Sequence, residues 1–197
     1  MSKTTRILVL YDSLNGHTEN MAYAIASGVH GHNHAEAILR SVPPIRAINE
    51  AHPPEVFLAK SQRVDLSEIA HYDGLILGCP ISFGNMSAAM KSFIDQTGTH
   101  WFSGTMVNKP FSLFASQTEN CPGDETALLS MMLPFIHHGM LHVGVTQNIK
   151  QTNTKHPHTS SCGLHLINQT DHALSQEETT MCSKLGAPLT RIASELG

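Results

Sequence analysis

Short, continuous apolar runs are the feature of this sequence that most limits how the chain can fold. The three clearest are Ile7–Tyr11, Gly74–Gly78 and the more mixed Pro110–Ser116. A strand that is covered on both faces loses the alternation of polar and apolar residues and becomes a short apolar run. These runs therefore predict buried strands of a parallel sheet. Glu36–Arg40 and Met140–Val145 are two weaker strand candidates.

Helical patterns lie between the apolar runs. Apolar residues recur on one face over residues 18–29, 85–97 and 125–136. A fourth helix is expected to begin at Ser175–Glu178, where Ser and Glu form a capping box, and Pro188 predicts a kink or an early end of its first half. Strands that alternate with helices predict βαβ units. The predicted fold is therefore α/β: a flavodoxin-like, doubly wound, five-stranded parallel sheet of order 2-1-3-4-5 with helices on both faces.

The length of 197 residues predicts a single domain, residues 1–197. Two segments without clear periodicity, at about 42–64 and 146–174, are interpreted as irregular insertions. No apolar run reaches the roughly 18 residues that a membrane-spanning helix needs, and the first residues do not resemble a signal peptide. The four scattered cysteines form no C-x-x-C pair, which fits a reducing compartment. We therefore expect a cytoplasmic protein, and its net charge of −4 argues against nucleic-acid binding.

Histidine is unusually frequent, with 14 His compared with 12 Lys and Arg together. Because histidine is the commonest metal ligand and titrates near neutral pH, a metal-binding or pH-sensing protein is one hypothesis. Its candidate clusters are His30–His34, His137–His138 and, farther along the chain, His156, His158, His165 and His172. Metal ligands must converge in space, and solvated turns and loops explain the same clusters. We therefore predict no metal site.

Three loops form the candidate site, because ligands of open α/β sheets bind beyond the carboxyl ends of the strands. Asp12–Thr18 combines hydroxyl and amide side chains with Gly16 at a helix N-terminus, a combination that suits phosphate but also occurs in ordinary capped turns. Cys79–Asn85 places Phe83 where it either stacks on a planar ring or fills the core. Ser116–Gly123 is the third loop. The first loop has no lysine, and the chain has no G-x-G-x-x-G motif, which argues against ATPase-type and Rossmann sites.

Several longer motifs follow one another along the chain. They are Val9–Tyr11, Ser13, Gly16–His17, Asp73–Pro80, Phe83–Met86, Phe93–Gly98, Trp101, Ser103–Gly104, His137–Met140 and Ser175–Glu178. In this order they resemble the WrbA family of NAD(P)H:quinone oxidoreductases. The resemblance runs from about Arg6 to the C-terminus and weakens in the two insertions. It implies a flavodoxin-like fold, FMN as cofactor and a homotetramer or dimer.

The resemblance also implies roles for individual residues. The FMN phosphate would be held by Ser13, Leu14, Asn15, Gly16, His17 and Thr18. The flavin ring would be flanked by Ile81, Ser82, Phe83, Gly84 and Asn85, and its pyrimidine edge by Ser116, Gln117, Thr118, Glu119 and Asn120. His137 would lie beside the flavin and stabilise charge at its edge. Asn15 and Trp101 would line the substrate pocket, with Trp101 contributed across subunits or acting only in subunit packing.

The activity that the resemblance implies is hydride transfer from NADH or NADPH to FMN and then to a quinone, with both substrates using one pocket in turn. One alternative is a flavodoxin-like electron carrier, although carriers dock through stronger charge than −4. Another is a family member with weakened FMN or NAD(P)H binding. It rests on three departures from the family pattern: Asn15 replaces an aromatic residue, Ile81–Ser82 replaces Thr-Arg, and Gln117–Gly123 replaces a glycine-rich loop.

Overall fold

The computed structural model describes residues 3–45, 59–118, 124–145, 159–168 and 173–197. The described elements are β1 (Thr5–Tyr11), α1 (His17–His30), β2 (Ala35–Ser41), a 3-10 helix (Leu66–His71), β3 (Gly74–Pro80), α2 (Ala88–Asp95), α3 (Gly98–Ser103), β4 (Pro110–Thr118), α4 (Asp124–His137), β5 (Leu141–His142), β6 (Thr159–Ser160), β7 (Gly163–Asn168) and α5 (Gln176–Leu196). Strands and helices alternate along most of the chain, as the apolar runs predict.

The strands form one sheet of order β2-β1-β3-β4-β7-β6, in which β5 also pairs with β4. β5 pairs in parallel with the start of β4, and β7 pairs in parallel with its end. β5 and β7 together therefore occupy the fifth strand position of the sheet, which confirms the predicted order 2-1-3-4-5. Among the strands that the structure describes, only β6 is antiparallel, and it pairs with β7.

The prediction of irregular backbone over 146–174 is wrong for residues 159–168, because they form β6 and β7. Leu164 and Leu166 are buried, but the polar His165 between them interrupts the continuous apolar run that signals a strand covered on both faces. The strand expected over Met140–Val145 is reduced to Leu141–His142. Of the first predicted insertion, residues 46–58 lie outside the described part of the chain.

Alternate residues of the central strands enter two separate cores. Leu75 and Leu77 pack in the core on the side of α2 and α4, whereas Ile76 packs in the core that α1 and α5 cover. The sheet is therefore buried on both faces, which explains the short apolar runs. α1 and α5 approach closely, since a Cβ added at Gly28 would lie 1.9 Å from the Ser183 carbonyl oxygen.

Two helix predictions need correction. The helix expected over 85–97 begins only at Ala88, because Ser87 caps it by accepting a hydrogen bond from the Met90 N–H at 3.2 Å. The capping box of Ser175 and Glu178 is confirmed. α5 continues through Pro188 to Leu196, so the early end is wrong and the kink stays a prediction. Burial of α5 side chains against α1 outweighs the lost hydrogen bond. No helix within the described ranges is both long and apolar enough to cross a bilayer.

Candidate functional site

The first two predicted loops meet Ser116, the first residue of the third, at the carboxyl edge of β1, β3 and β4. The Thr18 and Ser116 hydroxyls share a hydrogen bond of 2.7 Å, which joins the start of α1 to the end of β4. The Ile81 N–H donates to the Ser116 carbonyl oxygen at 2.8 Å. Because the first and second loops both contact Ser116, the structure makes one site of the three segments.

Ser13 organises the loop between β1 and α1. Its Oγ accepts hydrogen bonds from the Gly16 N–H at 3.1 Å and from the Glu19 N–H at 3.3 Å. Gly16 has a φ of +92°, a left-handed conformation that glycine adopts without strain. Ser13 Oγ thus orders the turn that begins α1. The N-terminus of a helix, where the helix dipole is positive, is chemically suited to phosphate oxygens.

The loop between β3 and α2 is a tight hairpin with Phe83 at its tip. Ser82 and Asn85 exchange two backbone hydrogen bonds of 2.9 and 3.0 Å. Phe83 and Gly84 have φ values of +52° and +70°, as in a type I′ turn. The Phe83 side chain is wholly exposed, so the alternative that it fills the core is wrong. A bulky residue held in the left-handed region costs roughly 1–2 kcal/mol, and such strain is often found at ligand sites.

Asp12, the first residue of the first loop, and Ser87, which none of the predicted loops or motifs includes, support the site. Burial raises the pKa of Asp12, although hydrogen bonds from the Ser87 hydroxyl and the Ser13 backbone act in the opposite direction. The Ser87 N–H donates to Cys79 Sγ at 3.4 Å. Burial also raises the pKa of the Cys79 thiol to about 12, so this group stays protonated. The signal for Asp12 was its position directly after a buried strand.

The third loop is only partly described. Ser116 and Gln117 are buried at the end of β4, and the Gln117 Oε1 atom has no hydrogen-bond partner in the described part of the chain. Thr118 ends the strand. Glu119 and Asn120 lie outside the described residues, so their contact with a flavin stays a prediction.

Trp101 and His137 lie together at the opposite edge of the sheet. The Trp101 Nε1–H donates to the His137 carbonyl oxygen at 2.9 Å. Two residues farther along, the Gly139 carbonyl accepts from Asn108, which precedes β4. β4 has nine residues, which span roughly 27 Å at about 3.3 Å per residue. Within one chain the structure does not bring either residue to the three loops, so their roles beside a flavin require a second copy and stay predictions.

Two histidines of the clusters that motivated the metal hypothesis have ordinary hydrogen-bond partners. His30 Nε2 accepts from the Ala37 N–H at 3.2 Å, and His138 Nε2 shares a hydrogen bond of 2.8 Å with Thr97 Oγ1. No group of three His, Cys, Asp or Glu in the described ranges has the arrangement to hold a metal ion. His156, His158 and His172 lie outside those ranges.

A family model described as NADPH-dependent FMN reductase matches residues 5–154 of this chain. The chain belongs to this family. NADPH-dependent FMN reductases are FMN-binding, flavodoxin-like oxidoreductases, and this chain shares that fold.

Solved structures agree with the family at the level of the fold. A WrbA-like flavodoxin from Agrobacterium tumefaciens is 22% identical, with a TM-score of 0.67 over 97% of this chain and 98% of that one. Oxidised flavodoxin 2 from Bacillus cereus is 18% identical, with a TM-score of 0.61 over 98% of this chain and 100% of that one. At these identities the likeness shows the flavodoxin-like fold, and the resemblance to the WrbA family stays a resemblance.

Proposed function

We propose that this member of the FMN reductase family transfers a hydride from NADH or NADPH to a quinone, with donor and acceptor using one open pocket in turn. The observation that carries the proposal is the meeting of the three loops at the carboxyl edge, at the point where the order of the sheet reverses between β1 and β3. We also propose a cytoplasmic location, which the free thiols of Cys79, Cys162 and Cys182 support.

The residues at this edge fit FMN. The loop of Ser13, Leu14, Asn15, Gly16, His17 and Thr18 suits the phosphate, since it lies at the N-terminus of α1, where the helix dipole favours an anion. The half-buried Ile81 and Ser82 and the exposed Phe83 suit the ring, and the segment from Ser116 to Asn120 suits its polar edge. When bound, FMN supplies a ring that accepts a hydride and passes it on.

The chain itself contributes binding and orientation rather than a nucleophile. Cys79 is buried and protonated, and Asp12 is hydrogen-bonded beneath the loops. Phe83 projects into solvent on a short, doubly hydrogen-bonded turn, so it can be held against one side of a ring while the other side stays open. One open side is what donor and acceptor need if they bind in turn.

We also propose that the protein is a homotetramer or dimer. Large apolar side chains are exposed together on α3, α4 and β5; we call this surface the apolar face, and its residues are Trp101, Phe102, Leu129, Leu133, Ile136 and Leu141. Leu129, Leu133 and Ile136 lie at helical spacing on one side of α4. Exposed apolar surface of this extent is typical of protein interfaces. A second copy seated there would carry Trp101 and His137 toward a neighbouring flavin site.

A spectroscopic and kinetic experiment tests the proposal. FMN is titrated into the purified protein, and a shifted flavin absorbance with quenched fluorescence is expected. The loaded protein should then oxidise NADH or NADPH with benzoquinone as acceptor. If donor and acceptor bind in turn to one pocket, double-reciprocal plots of the initial rates should show parallel lines. Failure to bind FMN would remove the whole proposal.

A dithionite titration distinguishes the proposed enzyme from the electron-carrier alternative. We expect the FMN-loaded protein to take up two electrons in one unresolved step. Two well-separated one-electron steps, together with no turnover of either nicotinamide nucleotide, would instead identify a carrier. The match to a reductase family over residues 5–154 supports the enzyme.

A further inference from the structure

A second polar cavity opens beside the three loops, between the ends of β1 and β2. Its volume is about 80 Å³, and it is lined by Asp12, Ser13, Ser41, Val42, Pro44, Ala59, Ser61 and Arg63. A single water molecule needs roughly 10–15 Å³ on this scale, so the cavity accepts a group larger than water. It shares Ser13 with the first loop but lies on the β2 side of β1, away from Phe83.

Hydrogen bonds fix the cavity wall in place. The Ser41 N–H donates to the Gln62 carbonyl at 3.0 Å, and the Val64 N–H donates to the Ser41 carbonyl at 2.9 Å. Arg63 is therefore held between two backbone bonds to the end of β2. On the other side, the Ser61 hydroxyl donates to the Tyr11 hydroxyl at 2.9 Å. The position of Arg63 is set by the sheet rather than by a free loop.

The Arg63 side chain is a cation without an acid partner. In the ranges that the structure describes, no carboxylate lies within ion-pair distance of it, whereas Arg40 is paired with Glu68 at 2.9 Å. The hydroxyls of Ser41 and Ser61 line the same cavity. A planar guanidinium beside hydroxyl groups is suited to bidentate contact with a phosphate group.

Asp12 forms another part of the cavity wall. Its carboxyl group already accepts hydrogen bonds from the Ser87 hydroxyl and the Ser13 backbone. Because a carboxylate repels phosphate, a 2′-phosphate would lie on the Arg63 side of the cavity, and Asp12 would accept only from the 3′-hydroxyl of the same ribose. A cavity with Arg63 and Asp12 on its walls therefore fits a phosphorylated ribose better than a free anion. The FMN phosphate is accounted for separately by the loop of residues 13–18.

The structure assigns this cavity to the 2′-phosphate of NADPH, with Arg63 as the residue that sets the preference for NADPH over NADH. The inference rests on the proposed function, because it concerns the donor of that reaction. Arg63 contacts the part of the donor that distinguishes the two nucleotides, so its effect is confined to one of them.

Kinetics of charge variants test the inference. Arg63→Gln should raise KM for NADPH by roughly 10-fold to 100-fold, the effect of losing a hydrogen-bonded charge contact, while KM for NADH stays unchanged. The KM of Arg63→Lys for NADPH should lie between those of the unaltered protein and Arg63→Gln, because lysine keeps the positive charge but lacks the planar guanidinium. Lys60→Gln is the matched control, since Lys60 is exposed three residues away and does not line the cavity. Equal effects on both nucleotides, or equal effects of the two Gln variants, would overturn the assignment.

Calorimetry keeps the test independent of turnover. Adenosine 2′-phosphate is titrated into protein saturated with FMN, with adenosine and inorganic phosphate as comparison ligands. We expect adenosine 2′-phosphate to bind most tightly, and Arg63→Gln to remove that advantage. Equal binding of inorganic phosphate would make this a simple anion site and overturn the nucleotide assignment. If the protein does not bind FMN, that result counts against the proposed function. Titration of adenosine 2′-phosphate into FMN-free protein would then test the cavity separately.

Discussion

The two edges of the sheet differ in almost every physical respect. At the carboxyl edge, hydroxyl and backbone groups of three loops are joined by hydrogen bonds, and Phe83 is held in a strained conformation. At the amino edge and on the adjacent helices, large apolar side chains such as Trp101 and Leu133 lie exposed. One edge is organised around polar groups and the other presents apolar surface.

This difference separates two kinds of recognition. Polar groups that are positioned before a ligand arrives favour a small, charged molecule such as FMN. An apolar surface without such groups favours a large partner, because burial of apolar area drives association. The contrast predicts that changes at the apolar face alter assembly and that changes at the loops alter FMN binding.

The largest expected effect is on assembly. Leu133→Glu on the apolar face should convert the oligomer to a monomer, because a charge buried in an interface costs several kcal/mol. Light scattering during size-exclusion chromatography measures the mass. Tyr23→Glu replaces an exposed aromatic residue on α1, outside the apolar face, and should leave the mass unchanged. An unchanged mass for Leu133→Glu would show that the apolar face is not the interface.

The next effect concerns FMN affinity. Gly16→Ala should weaken FMN binding by roughly 10-fold or more, since left-handed backbone costs an alanine about 1–2 kcal/mol and the loop must shift. Quenching of flavin fluorescence measures the affinity.

Gly104→Ala is the matched control for this substitution. Gly104 also has a positive φ, +67°, but it ends α3 far from the loops. It should lose similar stability and keep full FMN affinity. Equal affinities of the two variants would contradict the placement of the phosphate in the first loop.

A smaller effect is expected at Phe83, where one substitution changes both backbone strain and FMN binding. Phe83→Gly should stabilise the fold by about 0.5–1 kcal/mol, the left-handed penalty less the chain entropy of glycine, and should weaken FMN binding. His34→Gly makes the same change at a φ of +57° in a turn remote from the site. It should stabilise the fold without changing FMN affinity. Urea unfolding and FMN titration measure both quantities, and unaltered affinity in Phe83→Gly would remove that residue from the site.

The smallest effect concerns histidines near the amino edge. Burial lowers the pKa of His138, with a further lowering by nearby His100, and burial also lowers the pKa of His142. As the pH falls, these histidines therefore bind protons in the unfolded chain before they do so in the folded one. The free energy of unfolding should decrease as the pH drops below about 6.5 toward the lowered pKa values of the folded protein. Urea unfolding at several pH values measures the slope. His138→Gln should reduce it, and an unaltered slope would exclude this histidine as a source.

Local patterns predicted the elements well because strands and helices depend on neighbours along the chain. The apolar run Ile7–Tyr11 and the capping box of Ser175 and Glu178 both correspond to observed structure. β7 was missed because His165 interrupts its apolar run. Its place in the sheet depends on pairing with β4, more than 40 residues earlier in the numbering, and no local pattern records such a partner.

The candidate site likewise combines residues that local patterns predict with contacts that only the fold creates. Ser13, Gly16 and Phe83 were predicted because each follows a strand that local hydrophobicity reveals, and ligands of such sheets bind beyond strand ends. The link between Thr18 and Ser116, the support of Asp12 by Ser87 and the cavity around Arg63 join residues that are distant in sequence.

The α/β alternation, the phosphate-type loop after β1 and, through the ordered motifs, the resemblance to a flavin enzyme follow from the amino-acid sequence. Three features emerge only when the chain is folded: Trp101 and His137 lie at the edge opposite the loops, β5 and β7 together fill the fifth strand position, and Arg63 lines a cavity beside Ser13. One cause explains all three. Hydrogen bonding and packing between distant segments set these positions, and periodicity along the chain carries information only about near neighbours.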